Sequence, residues 1–151
     1  MITKRTKYAL KAVLFLATKS PGKLVQIADI AQSESIPRKF LEQILLDLRR
    51  AGILESRMGK RGGYALVRSP EQITFGDVMR LSEGSLAPVK CVSHSAYEPC
   101  MDCRDEASCP IRAVMVEARD ALAGVLDGTT LADGWERVAG KIRETGISYS
   151  I

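Results

Sequence analysis

The sequence predicts a mainly α protein with a small β-hairpin, arranged as a winged helix-turn-helix domain plus a long dimerisation helix. Three observations carry that expectation. Three short segments with apolar residues at helical spacing open the chain. Two short strand candidates follow, separated by a glycine-rich basic tip. Beyond them, one apolar stripe runs from Ile111 to Leu126 at three- and four-residue intervals.

The first helix is expected over "TKYALKAVLFLAT", where Tyr8, Ala9, Ala12, Val13 and Leu16 form one face. "SPGK" ends it. A second, short helix falls in "LVQIADIAQS", with Val25, Ile27, Ala28 and Ala31 turned inward. "ESIP" interrupts again, and Pro37 sits near a helix start, where its missing N–H costs little. The third helix, 37–50, repeats apolar residues at Phe40, Leu41, Ile44, Leu45 and Leu48, with Gly52 just past its last turn. Its other face is polar: Arg38, Lys39, Glu42, Gln43, Arg49 and Arg50. "ILESR" and "YALVR" then read as strands around "MGKRGG", whose glycines at 59, 62 and 63 permit a tight hairpin tipped by Lys60 and Arg61. Thr74 is the expected N-cap of a helix ending near Gly84. A stretch without periodicity reads as a loop, and Pro110 starts the long striped helix. Its stripe packs either on its own chain or, the favoured reading, on a second copy. A final short helix, "LADGWERVAGKI", is expected to fold back near it. The expected divisions are 1–84, 85–109 and 110–151.

Composition narrows the function. Residues 1–73 carry 14 Lys/Arg against 6 Asp/Glu, whereas 74–151 carry 8 against 12. A basic half suits a polyanion such as double-stranded DNA, and the polar face of the third helix suits a major groove, with the wing on an adjacent groove or phosphates. No apolar run has the length of a membrane span, so the expectation is a cytoplasmic protein. No paired carboxylates, Ser–His–Asp set or phosphate-binding glycine loop supports catalysis, and the expectation is that the chain is not an enzyme.

The order of elements resembles the bacterial winged helix-turn-helix regulators of the Rrf type, a group that includes the IscR, NsrR, RirA and CymR regulators. The resemblance rests on "KYALKAVLFLA", "IADIA", "IPRKFLEQILLDLRRAGILESRMGKRGGYAL", "ITFGDVM", the cysteine segment and "LDGTTLADG". It implies a homodimeric transcriptional repressor whose third helix and wing bind DNA. Matching positions place Arg38, Lys39, Glu42 and Gln43 on the recognition helix and Arg57, Lys60, Arg61, Gly62 and Gly63 in the wing. Lysines and arginines there would mostly neutralise phosphates, Gln43 would read a base edge, and the glycines would let backbone approach DNA. Glu42 would accept from cytosine, exclude wrong sequences, or pair with an arginine.

All four cysteines and the one histidine fall within residues 91–109. In many members of the resembled group this loop ligates an iron–sulfur cluster through three cysteines, five residues separating the last two. Cys103 and Cys109 match that pair, Cys91 matches the leading cysteine, and Cys100 is extra. The group completes its site with a histidine three residues after the last cysteine, or with an acidic residue on the partner's first helix. Arg112 and Lys7 stand at those positions here. Cys100 is therefore the natural fourth ligand, with His94 in reserve. Four thiolates suit two-iron and four-iron clusters alike. Reversible thiol oxidation, tetrahedral zinc and chemically inert thiols are the alternatives. A cluster-free regulator answering to thiol oxidation, a metabolite or a protein partner is the competing function.

Overall fold

The fold was analysed in a computed structural model that describes residues 2–145. Helix α1 (Lys4–Ala17) begins behind Thr3, whose hydroxyl accepts the Thr6 N–H at 3.2 Å. This side-chain cap starts the helix two residues before the expected Thr6. Ala9, Ala12, Val13 and Leu16 are buried as the spacing predicts.

The connection to α2 (Ile27–Glu34) departs from expectation. Val25 is buried, but its backbone is extended and exchanges hydrogen bonds with Tyr64 at 2.9 and 2.8 Å. With Val25 taken by the sheet, Ile27, Ile30 and Ala31 set the helix face; Ile30 is fully buried and Ala28 is exposed. Ser35, in the left-handed region at φ 54°, closes α2. Helix α3 (Arg38–Arg50) follows with Pro37 as its N-cap and buries Leu41, Ile44, Leu45 and Leu48. Phe40, expected in that stripe, lies at its exposed margin and packs T-shaped with Tyr8, ring centroids 5.6 Å apart.

Strands β1 (Leu54–Arg57) and β2 (Gly63–Leu66) pair antiparallel from Leu54↔Leu66 to Arg57↔Gly63. Val25 adds one further rung beside Tyr64. A short 3-10 turn, Pro70–Gln72, leads to α4 (Phe75–Glu83). There Thr74 and Asp77 form a reciprocal capping box with both bonds at 3.0 Å, as Thr74 foretells. The long α5 (Pro110–Asp127) and α6 (Leu131–Thr145) complete the described residues; 146–151 lie outside them. Rather than following α5, α6 packs on α1 and the 70–72 turn. Trp135 Nε1–H donates to the Leu14 carbonyl at 3.1 Å, and Phe75 lies against Gly134. The core is shared by α1, α2, α3, the hairpin and α4, with Leu131 of α6 fully buried in it.

Candidate nucleic-acid interface and cysteine loop

The buried stripe of α3 leaves Arg38, Lys39, Glu42 and Gln43 exposed together on its N-terminal half. Arg38 Nε stands 3.5 Å from Glu42 Oε1, so the acidic residue pairs with an arginine of its own helix. Gln43 Nε2 donates to Asp47 Oδ1 at 3.1 Å. Asp47 also takes Arg5 of α1 on Oδ2 and lies 4.0 Å from Arg50 Nη1. Neither Asp47 nor Arg5 carries a role from the sequence. The Gln43–Asp47 spacing of one turn is a visible signal, but Arg5 is 42 positions away and gives none.

Arg57 ends β1, and Lys60 and Arg61 are exposed at the wing tip beside Met58. Gln26, just ahead of α2, donates through Nε2 to the Lys60 carbonyl at 2.8 Å, tying the wing to the helix-turn-helix. Gly62 and Gly63 serve this internal joint. A Cβ on buried Gly62 would lie 2.1 Å from the Arg57 carbonyl oxygen, and one on Gly63, at φ 139°, 2.4 Å from that of Val25. Their lack of side chains is accounted for within the protein, whatever approaches from outside.

The cysteine segment joins α4 to α5. Cys91 lies half-buried in a 3-10 turn (Lys90–Val92), which Arg119 of α5 holds by donating to the Val92 carbonyl at 2.7 Å. His94 and Cys100 are exposed. Cys109 is the N-cap of α5, and its sulfur accepts the Arg112 N–H at 3.5 Å. Backbone N–H groups of Arg112 and Ile111, a hydrogen bond with Cys103 and the Arg112 charge pull the Cys109 thiol below its ordinary value. Cys103 moves the opposite way, through burial first and then its bond to Cys109, with Cys100 close enough to act on it electrostatically. Arg112, at the position of the resembled group's histidine ligand, is thus a cationic neighbour of the Cys109 sulfur and has no lone pair to offer a metal.

The sequence-predicted ligands are therefore only partly assembled. Cys103 and Cys109 are near enough to shift each other's thiols in opposite directions, the Cys103 N–H donates to the Cys100 carbonyl at 3.4 Å, and Cys91 stands on the turn near Tyr97. Among the described residues no three His, Cys, Asp or Glu side chains converge into a metal-holding group. In chemistry the donor set fits a thiolate-ligated iron–sulfur group: all four donors are sulfurs, and a helix N-terminus favours the anionic form of one.

Beyond the 3-10 turn, α5 buries no residue at all in the single chain. Ile111, Val114, Leu122 and Val125 are 67, 59, 41 and 58% exposed. Among the described residues, no helix is long and apolar enough to cross a membrane.

Comparison with known proteins agrees with this architecture. The family described as "Rrf2: Iron-dependent Transcriptional regulator" matches residues 2–136. An rrf2-like HTH-type transcriptional regulator of Rhodobacter capsulatus is 45% identical over 137 residues, 88% of this chain and 91% of that protein. The HTH-type transcriptional regulator NsrR of Bacillus licheniformis is 35% identical over 132 residues, 87% of this chain and 90% of its own length. Among solved structures, CymR, the global cysteine regulator of B. subtilis, superposes with a TM-score of 0.72 at 34% identity, covering 88% of this chain and 94% of that one.

Proposed function

Since this chain belongs to the Rrf2 family of transcriptional regulators, we propose that it is a homodimeric repressor whose operator affinity is set by an iron–sulfur cluster on the 91–109 loop. The observation that carries this reading is the gathering of all four cysteines in one loop that ends with the Cys109 sulfur capping the N-terminus of α5, between the DNA-facing half and the exposed apolar helix. Arg38, Lys39, Gln43, Arg57, Lys60 and Arg61 meet the operator, with Glu42 tempering Arg38 through its ion pair. Cys91, Cys100, Cys103 and Cys109 hold the cluster. When bound, the cluster supplies a bridge across the loop whose presence depends on iron and redox conditions. Arg119 links the Cys91 turn to α5, so drawing the four thiols together would be felt by the start of α5 through that bond and through Cys109. A signal alters DNA binding only through such a difference between DNA-competent states.

The test is anaerobic purification with iron and sulfide analysis, followed by DNA binding before and after cluster loss. Ala at Cys91, Cys100, Cys103 or Cys109 should abolish or destabilise the cluster and change operator affinity, while Ala at His94 should leave both intact. Full iron incorporation in all four single-cysteine variants would remove the cluster from this loop. A second reading, cluster-free control by thiol oxidation, is supported by the four free cysteines gathered in one loop, with Cys109 at a helix N-terminus that favours its thiolate. It is distinguished by protein lacking iron–sulfur charge-transfer absorption whose DNA affinity follows the thiol state.

A further inference from the structure

The carboxylate of Asp47 lies one turn below Gln43 on α3 and is held from two sides. Its Oδ2 takes Arg5 from α1, and its Oδ1 takes Gln43 Nε2 at 3.1 Å, with Arg50 Nη1 4.0 Å from that same oxygen. Both members of the Arg5–Asp47 pair are half-buried, whereas Gln43 is exposed. We propose that Asp47 is a positioning residue that locks the Gln43 side-chain amide in one orientation, so that Gln43 reads an adenine in the operator. This rests on the reading that the exposed face of α3 meets DNA.

The argument follows from what each group can donate and accept. A carboxylate only accepts, so the end of the Gln43 amide facing Asp47 must be the NH2. The amide nitrogen therefore faces Asp47. The carbonyl oxygen Oε1 then faces away, and with the second N–H it forms an edge of one acceptor and one donor. Adenine offers the matching pair in the major groove, an N6 amino donor and an N7 acceptor. Guanine offers two acceptors, O6 and N7. An unrestrained glutamine can turn its NH2 toward guanine, whereas a pinned one sets Oε1 against O6. Arg5 makes the restraint effective: a guanidinium cannot accept, so it holds Asp47 in place without competing for the Gln43 N–H. The pinned amide also loses less side-chain freedom on binding.

The experiment is selection from a randomised DNA duplex library by the intact protein and by its Gln43→Ala, Asp47→Ala and Arg5→Ala variants, each checked by thermal melting. The wild type should select a defined half-site, in which Gln43→Ala flattens one position occupied by adenine. Replacing that base by 7-deazaadenine should weaken wild-type binding about five-fold or more and leave Gln43→Ala unaffected. At that position alone, Asp47→Ala should reduce the preference for adenine over guanine about five-fold or more, by admitting guanine. Arg5→Ala should shift the preference in the same direction, and it decides the matter if Asp47→Ala does not fold. An undiminished adenine preference in the folded variants overturns the inference, as does a Gln43-dependent base other than adenine or none. In each of those cases operator selection by the wild type leaves the proposed function standing. Failure of the wild type to select any sequence would instead remove DNA recognition.

Discussion

At the scale of single residues, the wing separates two kinds of necessity. Gly62 and Gly63 are required by contacts to the Arg57 and Val25 carbonyl oxygens inside the protein, while Lys60 and Arg61 project from the tip. Substitutions should therefore leave opposite signatures. Ala at Gly63 forces a Cβ onto backbone at a conformation L residues avoid, and should cost about 1–3 kcal/mol of stability, read as a lower Tm. Replacing Lys60 and Arg61 by Ala should leave Tm nearly unchanged. It should flatten the salt dependence of DNA binding by up to about 0.9 in log–log slope per lost phosphate contact per chain. An unchanged slope would take the wing off the binding surface. The tip charges were legible from composition. The Gly63 contact was not, because Val25 lies 38 positions before it and only the extra sheet rung brings them together.

At the scale of elements, the ends of α1 and α4 are joined through Glu83. Its Oε1 accepts from the Thr3 N–H and the Thr3 hydroxyl, each at 2.8 Å, and from the Thr6 hydroxyl. The Thr6 bond first, and then those from Thr3, hold the Glu83 carboxyl below the usual carboxylate range. A depressed folded value means stability that is present above the unfolded value and lost as pH falls through the folded one. Glu83→Gln should thus lower Tm at neutral pH, by an amount equivalent to about 1 kcal/mol or less given solvent screening. The difference from wild type should shrink once acid protonates Glu83. Thermal melts of both proteins across the acid range check this, and a Tm gap constant with pH would refute it. A comparable tie joins α4 to the end of α5: Arg80 holds Asp127 through two bonds of 2.6 and 2.7 Å, over the space left by Gly76. The Glu83 tie stands at the start of the cysteine loop, whereas the Arg80–Asp127 tie anchors the far end of α5.

At the scale of the whole molecule, much of the apolar stripe of α5 is exposed in the single chain, which supports the proposed packing of this helix on a second copy. The chain's own core does not cover Val114 or Leu122. An aspartate at either position should therefore leave Tm nearly unchanged, and should convert a dimer to folded monomers with weakened operator binding, because a charge buried between subunits there lacks a partner. Sedimentation and melting together test this. Global unfolding, or a dimer that persists, would move the interface elsewhere. In the dimer, the two recognition helices should fall on a pseudo-palindromic site with half-sites about 34 Å apart.

Local chemistry in the sequence determined most of the elements of this fold. The 3.6-residue stripes of α1, α3 and α5, the Thr74 cap and the glycine-rich hairpin depend on neighbours a few positions away, and each stands near where its residues predicted. The polar face of α3, the basic wing and the gathering of four thiols were equally plain, because composition and spacing alone define them. Tertiary structure decided what depends on distant partners. Val25 went to the sheet instead of to α2, and Ala28 to the surface, because Tyr64 offered the extended chain two hydrogen bonds. Helix α6 docked on α1 through Trp135 and Leu14, 121 positions apart. Only packing brought Arg5 to Asp47, and with it the orientation of Gln43. Pairwise contacts across such separations leave no periodic trace in one chain, so Gln43 and Asp47, one turn apart on α3, were readable from the sequence while the arginine that holds Asp47 was not.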